Sequence, residues 1–458
     1  MELVAQGNWV GYQTVFYHEK TGAFGEDIHA VIDYSNLEID TEGLAAYLDF
    51  GYAVFGHTAV KHVKFLLPNQ ALYSDGKQLK VLDQTDTISQ KLAQRSHEDD
   101  VMQLIQQRVN TWANSFPENI LIPTSGGFDS RLMNVLLDDK SRIHAYTYGT
   151  SFNQGASRES VYAGLLAERL GTTWQRIPLG KFNGYMDDWF DQFGPAVGAS
   201  GTYHIEFYAK IRNLENQAKL GLLSGIIGDA WAGAVHVPEI RSAREYRTLG
   251  YTHGMRADSQ RAMNIDYTGL AEQQFDRMKT DLQHPEFRII TAMRTKMMLL
   301  QYLIAVPSRM GFPGYSPFVE EDVALAMLNL PQDRKQDRAW QRDFFRKQGL
   351  LFEEEKHNYT YQNSLNYYSL LHEELAPLDV NLLREVMQVD YLEWINQKIQ
   401  HIGRKERLFQ TLMHTPKVKG VLKLFGAKNE LLAAYFAYIT IKPIEALLLK
   451  RNASITKA

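Results

Sequence analysis

The chain has 458 residues, of which 45% are hydrophobic and 22% charged, a composition typical of a folded protein of about two to three domains. Its 49 basic and 53 acidic residues give a net charge of −4, which argues against a nucleic-acid partner. Cysteine is absent, and this excludes disulfides, Cys-ligated metals and a thiol nucleophile. The first residues contain neither a basic start nor an apolar run, so we expect a cytoplasmic protein without a secretory signal.

The first segment of the chain, residues 1–95, predicts a β-rich unit. Two short apolar runs have the length and composition of strands, residues 15–17 and 30–32. A short helix is expected over residues 40–50, where the apolar side chains share one face. The polar stretch 83–100 then predicts a crossover into a second unit.

The second segment, residues 96–458, predicts strands that alternate with helices. This alternation is typical of a parallel sheet with helices on both faces, so the overall expectation is an α/β protein. The expected elements are, in chain order, a strand at 119–123, a helix at 131–137, a strand at 144–149, a helix at 158–170 and a strand from 222. The pattern beyond residue 285 predicts a mostly helical C-terminal part.

One glycine-rich motif, Ser125-Gly126-Gly127-Phe128-Asp129-Ser130, lies directly between the first of these strands and its helix. Two glycines let the backbone turn tightly and bring its N–H groups close to a ligand. The start of the following helix adds free amides and a positive dipole end. Because a carboxylate repels polyphosphate, Asp129 could lie beside one only through a bridging Mg²⁺. The motif is not a Walker loop, and it predicts a phosphate-binding turn.

The motif resembles the pyrophosphate-binding loop of the ATP pyrophosphatase superfamily, and the wider pattern resembles its asparagine synthetase branch. The wider pattern consists of Tyr47-Leu48-x-Phe50-Gly51, Leu67-Pro68, Tyr148-Gly149, Leu223-Ser224-Gly225-x-x-Gly228-Asp229 and Ser316-Pro317-Phe318-Val319-Glu320. The resemblance spans roughly residues 10 to 360. It implies a degenerate, class II glutamine amidotransferase-like domain over residues 1–95. It further implies a parallel-sheet, asparagine synthetase-like domain with a helical extension over residues 96–458.

Such enzymes bind ATP and Mg²⁺, adenylate a substrate carboxylate with release of pyrophosphate, and then let ammonia or an amine displace AMP. The resemblance implies that Asp129 and Asp229 hold the Mg²⁺ and act in catalysis together with Lys356, a cation for the phosphates. Lys356 also fits a solvated helix end, and Tyr148 also fits a core position. The residues implied to bind ATP or pyrophosphate are Thr124, Ser125, Gly126, Gly127, Phe128, Asp129, Ser130, Tyr148, Ser224 and Gly225.

The chain departs from the family pattern in two places. Position 2 is Glu2 instead of the N-terminal cysteine of the amidotransferases, so glutamine hydrolysis by a thiolate is excluded. Nitrogen is then expected as free ammonia, from a separate glutaminase or as an amine substrate. In addition, Ile226 and Ala230 replace acidic residues of the family, and an apolar side chain cannot act as a base. The residues considered as replacements for that base are Glu320, Glu206 and His204.

The leading expectation is therefore an ATP-dependent amide-forming ligase that acts on a carboxylate other than free aspartate. Surface polysaccharide and secondary-metabolite biosynthesis are the settings that the resemblance implies. Two alternatives stay open, an intramolecular amide synthetase of the macrolactam or β-lactam kind and a non-catalytic pseudo-synthetase subunit. The apolar residues Ile226 and Ala230 favour the second alternative. A tRNA-modifying relative is disfavoured by the negative net charge.

Two basic regions are candidate binding surfaces. Arg338, Arg342 and Arg346 recur every four residues and could meet phosphate, although a solvated helix face is favoured. Residues 401–458 carry eleven Lys or Arg against three Glu, and the apolar run 431–441 within them is too short to span a bilayer. This end could rest peripherally on an anionic membrane, whereas a packed final helix is the favoured interpretation.

Overall fold

The computed structural model describes residues 1–457 except 77, 93, 117, 217–218, 253, 415–417 and 419–427. The described residues form a mixed α/β fold in which one five-stranded parallel sheet lies beside two three-stranded antiparallel sheets. The strands are β1 (Glu2–Gln6), β2 (Phe16–His18), β3 (Phe24–Gly25), β4 (Val63–Phe65), β5 (Gln70–Ser74), β6 (Leu79–Asp83), β7 (Ile120–Pro123), β8 (Ile143–Thr147), β9 (Thr173–Arg176), β10 (Gly221–Leu223) and β11 (Gly314–Tyr315).

The antiparallel sheets are built from the N-terminal segment, with strand orders β1-β5-β6 and β3-β2-β4. The parallel sheet has the order β11-β10-β7-β8-β9. In its centre, Leu121 of β7 pairs with Leu222 on one side and His144 on the other. Strands β8 and β9 thus lie on one side of β7, and strands β10 and β11 lie on the other side. The mixed α/β class expected from the sequence is confirmed at this level.

Helices cover the parallel sheet and make up most of the chain after it. They are α1 (Ile28–Val31), α2 (Thr41–Phe50), α3 (Ile88–Lys91), α4 (Glu98–Ala113), α5 (Phe128–Leu136), α6 (Arg158–Leu170), α7 (Met186–Phe193), α8 (Thr202–Leu214), α9 (Gly228–Ala232), α10 (Ala243–Thr248), α11 (Ser259–Ala262), α12 (Thr268–Met278), α13 (Pro285–Leu300), α14 (Tyr302–Arg309), α15 (Glu321–Leu328), α16 (Gln332–Lys335), α17 (Ala339–Lys347), α18 (Leu365–His372), α19 (Val380–Leu383), α20 (Val389–Gln400), α21 (Arg404–His414) and α22 (Glu430–Lys457).

Capping residues explain several of these boundaries. Helix α2 begins where the Asp40 carboxylate accepts a hydrogen bond from the Gly43 amide. Helix α6 ends at Gly171, which has a φ of 66°, as the sequence predicts.

The expected strand at residues 30–32 is wrong. Asp27 caps the amide of His29 there, and the short helix α1 forms instead.

The N-terminal segment and the C-terminal helix share one hydrophobic core. Tyr47 of α2 is fully buried, and its hydroxyl donates to the carbonyl of Thr440 in α22 at 2.8 Å. Leu44 of α2 and Leu447 of α22 belong to the same buried cluster. A second cluster fills the space between the parallel sheet and helices α4, α5 and α15. The N-terminal segment is therefore packed into the rest of the protein.

Two helical stretches among the described residues have the length and apolar composition needed to cross a membrane, residues 285–309 and 430–456. In the protein, 44% and 72% of their most apolar windows are buried. The run 431–441 that the sequence singles out lies in α22, where Tyr435 and Ile441 are packed into the core. Most of its apolar side chains are thus covered by protein.

Candidate functional site

The candidate site lies at the carboxyl edge of the parallel sheet, between the neighbouring strands β7 and β10. The chain adds β8 and β9 on one side of β7, and β10 and β11 on the other. Strands β7 and β10 are neighbours, and their carboxyl ends lead into two loops, residues 125–127 and 224–227. In open parallel sheets, ligands bind at the point where successive connections diverge to opposite sides. A cavity of about 200 Å³ opens between these loops. Its lining residues are Pro123, Ser125, Gly127, Asp129, Ser130, His204, Tyr208, Ser224, Gly225, Ile226 and Leu303.

The glycine loop, residues 125–130, is held by its own hydrogen bonds. The Ser130 hydroxyl accepts from the Ser125 amide at 3.1 Å and donates to the Gly127 carbonyl at 3.2 Å. Gly126 has a φ of 71°, and a Cβ there would lie 2.4 Å from Cβ of Tyr162, so only glycine fits. Helix α5 begins at Phe128 without a side-chain cap. Its first amides are therefore available to a ligand.

Arg131 supports the glycine loop from beneath. Its guanidinium is fully buried and donates to the Gly126 carbonyl at 2.6 Å and to both carboxylate oxygens of Glu353 at 3.0 and 3.1 Å. It also packs against the rings of Phe128 and Phe352, at 5.1 and 4.5 Å from their centroids. The sequence shows only that Arg131 follows the motif. Its partners Phe352 and Glu353 lie more than two hundred positions away, and local patterning cannot find them.

Asp129 is the most perturbed acid of the site. Burial, followed by the charge of Asp229, raises the pKa of Asp129 to about 7, and the Arg338 guanidinium and the Asp229 backbone amide oppose that shift. Among the described residues its Oδ1 atom has no hydrogen-bond partner although it is buried. Gln341 lies close enough to lower the pKa of Asp129, yet neither polar atom of its buried amide has a partner in the described chain.

The loop after β10 approaches Asp129 closely. A Cβ on Gly225 would lie 2.8 Å from the Asp129 carbonyl carbon, and one on Gly228 would lie 3.0 Å from Cγ of Asp129. Between them, Ile227 has a φ of 59°, a left-handed backbone that costs free energy in a β-branched residue. The two glycines and the strained backbone of Ile227 together let the loop after β10 lie directly against the glycine loop.

Arg338 is the cation that faces this acid pair. Its guanidinium carbon lies 4.5 Å from the centroid of Phe128 in the glycine loop, and its charge acts on Asp129. Asp337 and Arg338 both have left-handed backbones, with φ values of 49° and 55°. The sequence shows Arg338 as part of a basic stripe and favours a solvated face. The contact with Phe128 places it at the site instead.

The residues present fit a magnesium ion by their chemistry. Mg²⁺ in nucleotide sites is held by one or two carboxylates together with substrate phosphates and water. Asp129 has a buried oxygen without a partner among the described residues, and the carboxylate of Asp229 is close enough to raise the pKa of Asp129. No cluster of three or more His, Asp or Glu side chains suited to a metal occurs within the described ranges. The two carboxylates would therefore supply only part of the oxygen ligands that Mg²⁺ needs.

The structure brings together some of the residues named from the sequence and separates others. Those that line the small cavity are Ser125, Gly127, Asp129, Ser130, Ser224 and Gly225, and Asp229 lies exposed beside it. Thr124 and Phe128 are buried behind it, and Gly126 is covered by Tyr162. Tyr148 packs against Phe207 at 5.1 Å, and Lys356 is exposed and outside the cavity lining.

A second cavity of about 460 Å³ shares Ile226 with the first. Its walls come from the N-terminal segment, including Gln13 and Phe16, and from helix α14. The charged residues in its lining are Glu26 and Arg309. Gln192 also lines it, and its Oε1 atom is buried without a partner in the described chain. We refer to it as the interface cavity.

No protein-family model and no curated protein matches this chain.

Proposed function

We propose that the protein is an ATP-dependent, amide-forming ligase of the ATP pyrophosphatase type, with a parallel-sheet synthetase unit and an N-terminal amidotransferase-like remnant. The observation that carries the proposal is Asp129. One of its carboxylate oxygens is buried and has no partner within the described part of the chain. This oxygen lies in a glycine loop at the carboxyl edge of a parallel sheet, beside a second acid. A cation would compensate the charge of this buried carboxylate when it is ionised. Mg²⁺ held by one or two carboxylates in a loop at the carboxyl edge of a parallel sheet commonly binds the phosphates of a nucleotide.

In the proposed reaction the glycine loop binds the pyrophosphate part of ATP through the amides at the start of α5 and the Ser125 and Ser130 hydroxyls. Asp129 and Asp229 would hold Mg²⁺, and the bound ion would supply positive charge opposite the departing pyrophosphate. Arg338 supplies a second positive charge at the same place. The substrate carboxylate attacks the α-phosphorus, and an amine then displaces AMP from the acyl-adenylate.

The interface cavity supports a substrate larger than ammonia. A water-sized molecule has a volume of about 30 Å³, whereas this cavity measures about 460 Å³. Its amide side chains and its single pair of opposite charges suit an organic carboxylate or amine with polar groups. The same cavity would admit the carboxylate to the phosphate site past Ile226, which lines both.

The test is carboxylate-dependent exchange between ATP and labelled pyrophosphate, run with uronic acids, amino acids and peptides. We expect at least one carboxylate to stimulate exchange and Asp129→Ala to abolish it. Asp100→Asn, which changes an acid in the first turn of α4, is the matched control and should exchange normally. Exchange that is unaltered in Asp129→Ala would reject the assignment of the loop. Failure of every carboxylate would favour the pseudo-synthetase alternative.

A further inference from the structure

Helix α21 exposes two leucines on its outer side. Leu408 and Leu412 are 62% and 38% exposed, and they lie one helical turn apart. Arg404 lies one turn before Leu408, so the three side chains form a single stripe along the helix. The other side of α21 faces the protein, where Gln410 is fully buried and Met413 is 7% exposed. The helix is therefore packed along one side and open to solvent along the other.

Hydrogen bonds to the residue before α22 hold the inner side of α21. Nε2 of Gln410 donates to Oδ1 of Asn429 at 2.7 Å, and Nδ2 of Asn429 donates back to Oε1 of Gln410 at 2.8 Å. Glu406, the one acid in the sequence of α21, accepts from the Gln410 amide at 3.0 Å. The negative charge of the helix thus lies on its inner side. The exposed residues, which we call the α21 face, are Arg404, Lys405, Arg407, Leu408, Thr411 and Leu412.

The cations of the α21 face are available to a partner. Neither Arg404 nor Lys405 nor Arg407 forms an ion pair with a residue that the structure describes. The ion pairs in this part of the chain use other cations, namely Lys398, Lys442 and Arg451. Arg407 lines a groove together with Glu373 and Glu374, so it lies at the edge of the face. Arg404 and Lys405 lie closest to the two leucines.

We propose that the α21 face binds the surface of a membrane that contains anionic phospholipids. The Arg and Lys side chains would contact the lipid phosphates and carboxylates. Leu408 and Leu412 would enter the boundary between the headgroups and the acyl chains, with the helix axis parallel to the membrane. The binding does not depend on the proposed ligase activity, because no residue of α21 lines the small cavity or the interface cavity.

A membrane explains the composition of the α21 face better than other anionic partners. Nucleic acid would attract the three cations, but its phosphate backbone offers no apolar surface to Leu408 and Leu412. A second copy of the chain could cover the leucines. A two-fold pairing of this face, however, would bring its cations against the same cations of the other copy. An anionic lipid surface supplies both the negative charge and the apolar region beneath it.

The proposal moves the membrane contact away from the apolar run 431–441. Most side chains of that run are covered by protein, and Tyr435 and Ile441 belong to the core. Helix α21 precedes it in the chain and has fewer apolar residues, yet two of them are exposed beside unpaired cations. Accessibility therefore selects the shorter and more polar helix.

The first experiment is sedimentation of the full chain with lipid vesicles. We expect binding to vesicles of phosphatidylcholine with about 30% phosphatidylserine, and at least tenfold weaker binding to pure phosphatidylcholine. Raising NaCl from about 0.1 M to about 0.5 M should weaken the binding to the anionic vesicles, because salt screens the cations. Equal binding to both kinds of vesicle, or no binding to either, would overturn the proposal.

The second experiment compares substitutions in the α21 face with matched substitutions elsewhere. Leu408→Asp should weaken binding to the anionic vesicles by about tenfold or more, and Lys405→Gln by about fivefold. The controls are Leu214→Asp, at an end of α8 where Leu214 is 48% exposed, and Lys20→Gln at an exposed lysine of the N-terminal segment. Both controls should bind within about twofold of the native chain.

The variants also test the alternative partners. Undiminished vesicle binding in Leu408→Asp, or equal losses in the controls, would overturn the role of α21. Self-association of the native chain without vesicles that Leu408→Asp abolishes would assign the face to a second copy and would also overturn the proposal. Thermal unfolding of each variant shows whether it remains folded, and all four substitutions are at exposed positions.

Discussion

Asp129, the residue proposed to hold Mg²⁺, also has a raised pKa that lowers the stability of the folded chain at high pH. Its pKa of about 7 lies above the value of about 3.9 for an aspartate in an unfolded chain. Between these two pH values the unfolded chain is ionised while the folded chain keeps its proton, so the free energy of unfolding decreases as the pH rises through this range. At pH 8 the folded chain without ligands holds an ionised, partly buried carboxylate beside another acid.

We therefore expect Asp129→Asn to be more stable than the native chain at pH 8, by on the order of 1–3 kcal/mol, even though it is inactive. The difference should shrink as the pH is lowered towards 4, where Asp129 is protonated in both states. Urea unfolding at several pH values, without Mg²⁺ or nucleotide, measures it. A variant that is less stable than the native chain at pH 8 would show that burial and repulsion from Asp229 do not destabilise the ionised Asp129.

Arg338 and Lys356 are rival candidates for the cation on the phosphates. Arg338 contacts Phe128 of the glycine loop and its charge acts on Asp129, whereas Lys356 is exposed. Neither residue belongs to the lining of the small cavity. We expect Arg338→Gln to lower kcat/KM for pyrophosphate exchange by about 100-fold, and Lys356→Gln to lower it by less than about twofold. A larger loss of kcat/KM in Lys356→Gln than in Arg338→Gln would show that Lys356 is the cation that acts on the phosphates.

At the scale of elements, the glycine loop depends on helix α6 behind it. A Cβ on Gly126 would meet Tyr162 of α6 at 2.4 Å, and the residue has a left-handed backbone. Gly126→Ala should therefore displace the loop, destabilise the protein by about 1–3 kcal/mol and weaken binding of ATP. Thermal unfolding and calorimetric titration with ATP and Mg²⁺ measure the two effects.

Gly269, near the start of α12, is the matched control for this substitution. Its added Cβ would meet nothing within 4 Å, and its backbone is helical. Gly269→Ala should leave ATP binding unchanged and raise the stability slightly, since alanine favours a helix. Equal effects of the two substitutions would show that the contact between the loop and α6 does not hold the loop in place.

At the scale of the whole molecule, the N-terminal segment is part of the core. The hydrogen bond from Tyr47 to Thr440 and the shared cluster of α2 and α22 join the two ends of the chain. We expect deletion of residues 1–95 to yield insoluble protein, because it exposes the apolar face of α22. Soluble expression and urea unfolding test this. A deletion variant that unfolds cooperatively would show instead that residues 96–458 fold alone.

The sequence by itself determined the α/β class, the position of the glycine loop and the exclusion of thiol chemistry, because each depends on neighbouring residues or on composition. Asp129 and Asp229 could also be named from their motifs. Only the tertiary structure brought His204 and Arg338 to the same site. Loops at the carboxyl edge of a parallel sheet meet according to strand order, and helices that pack against that edge add side chains from distant positions. Neither arrangement leaves a local pattern in the chain.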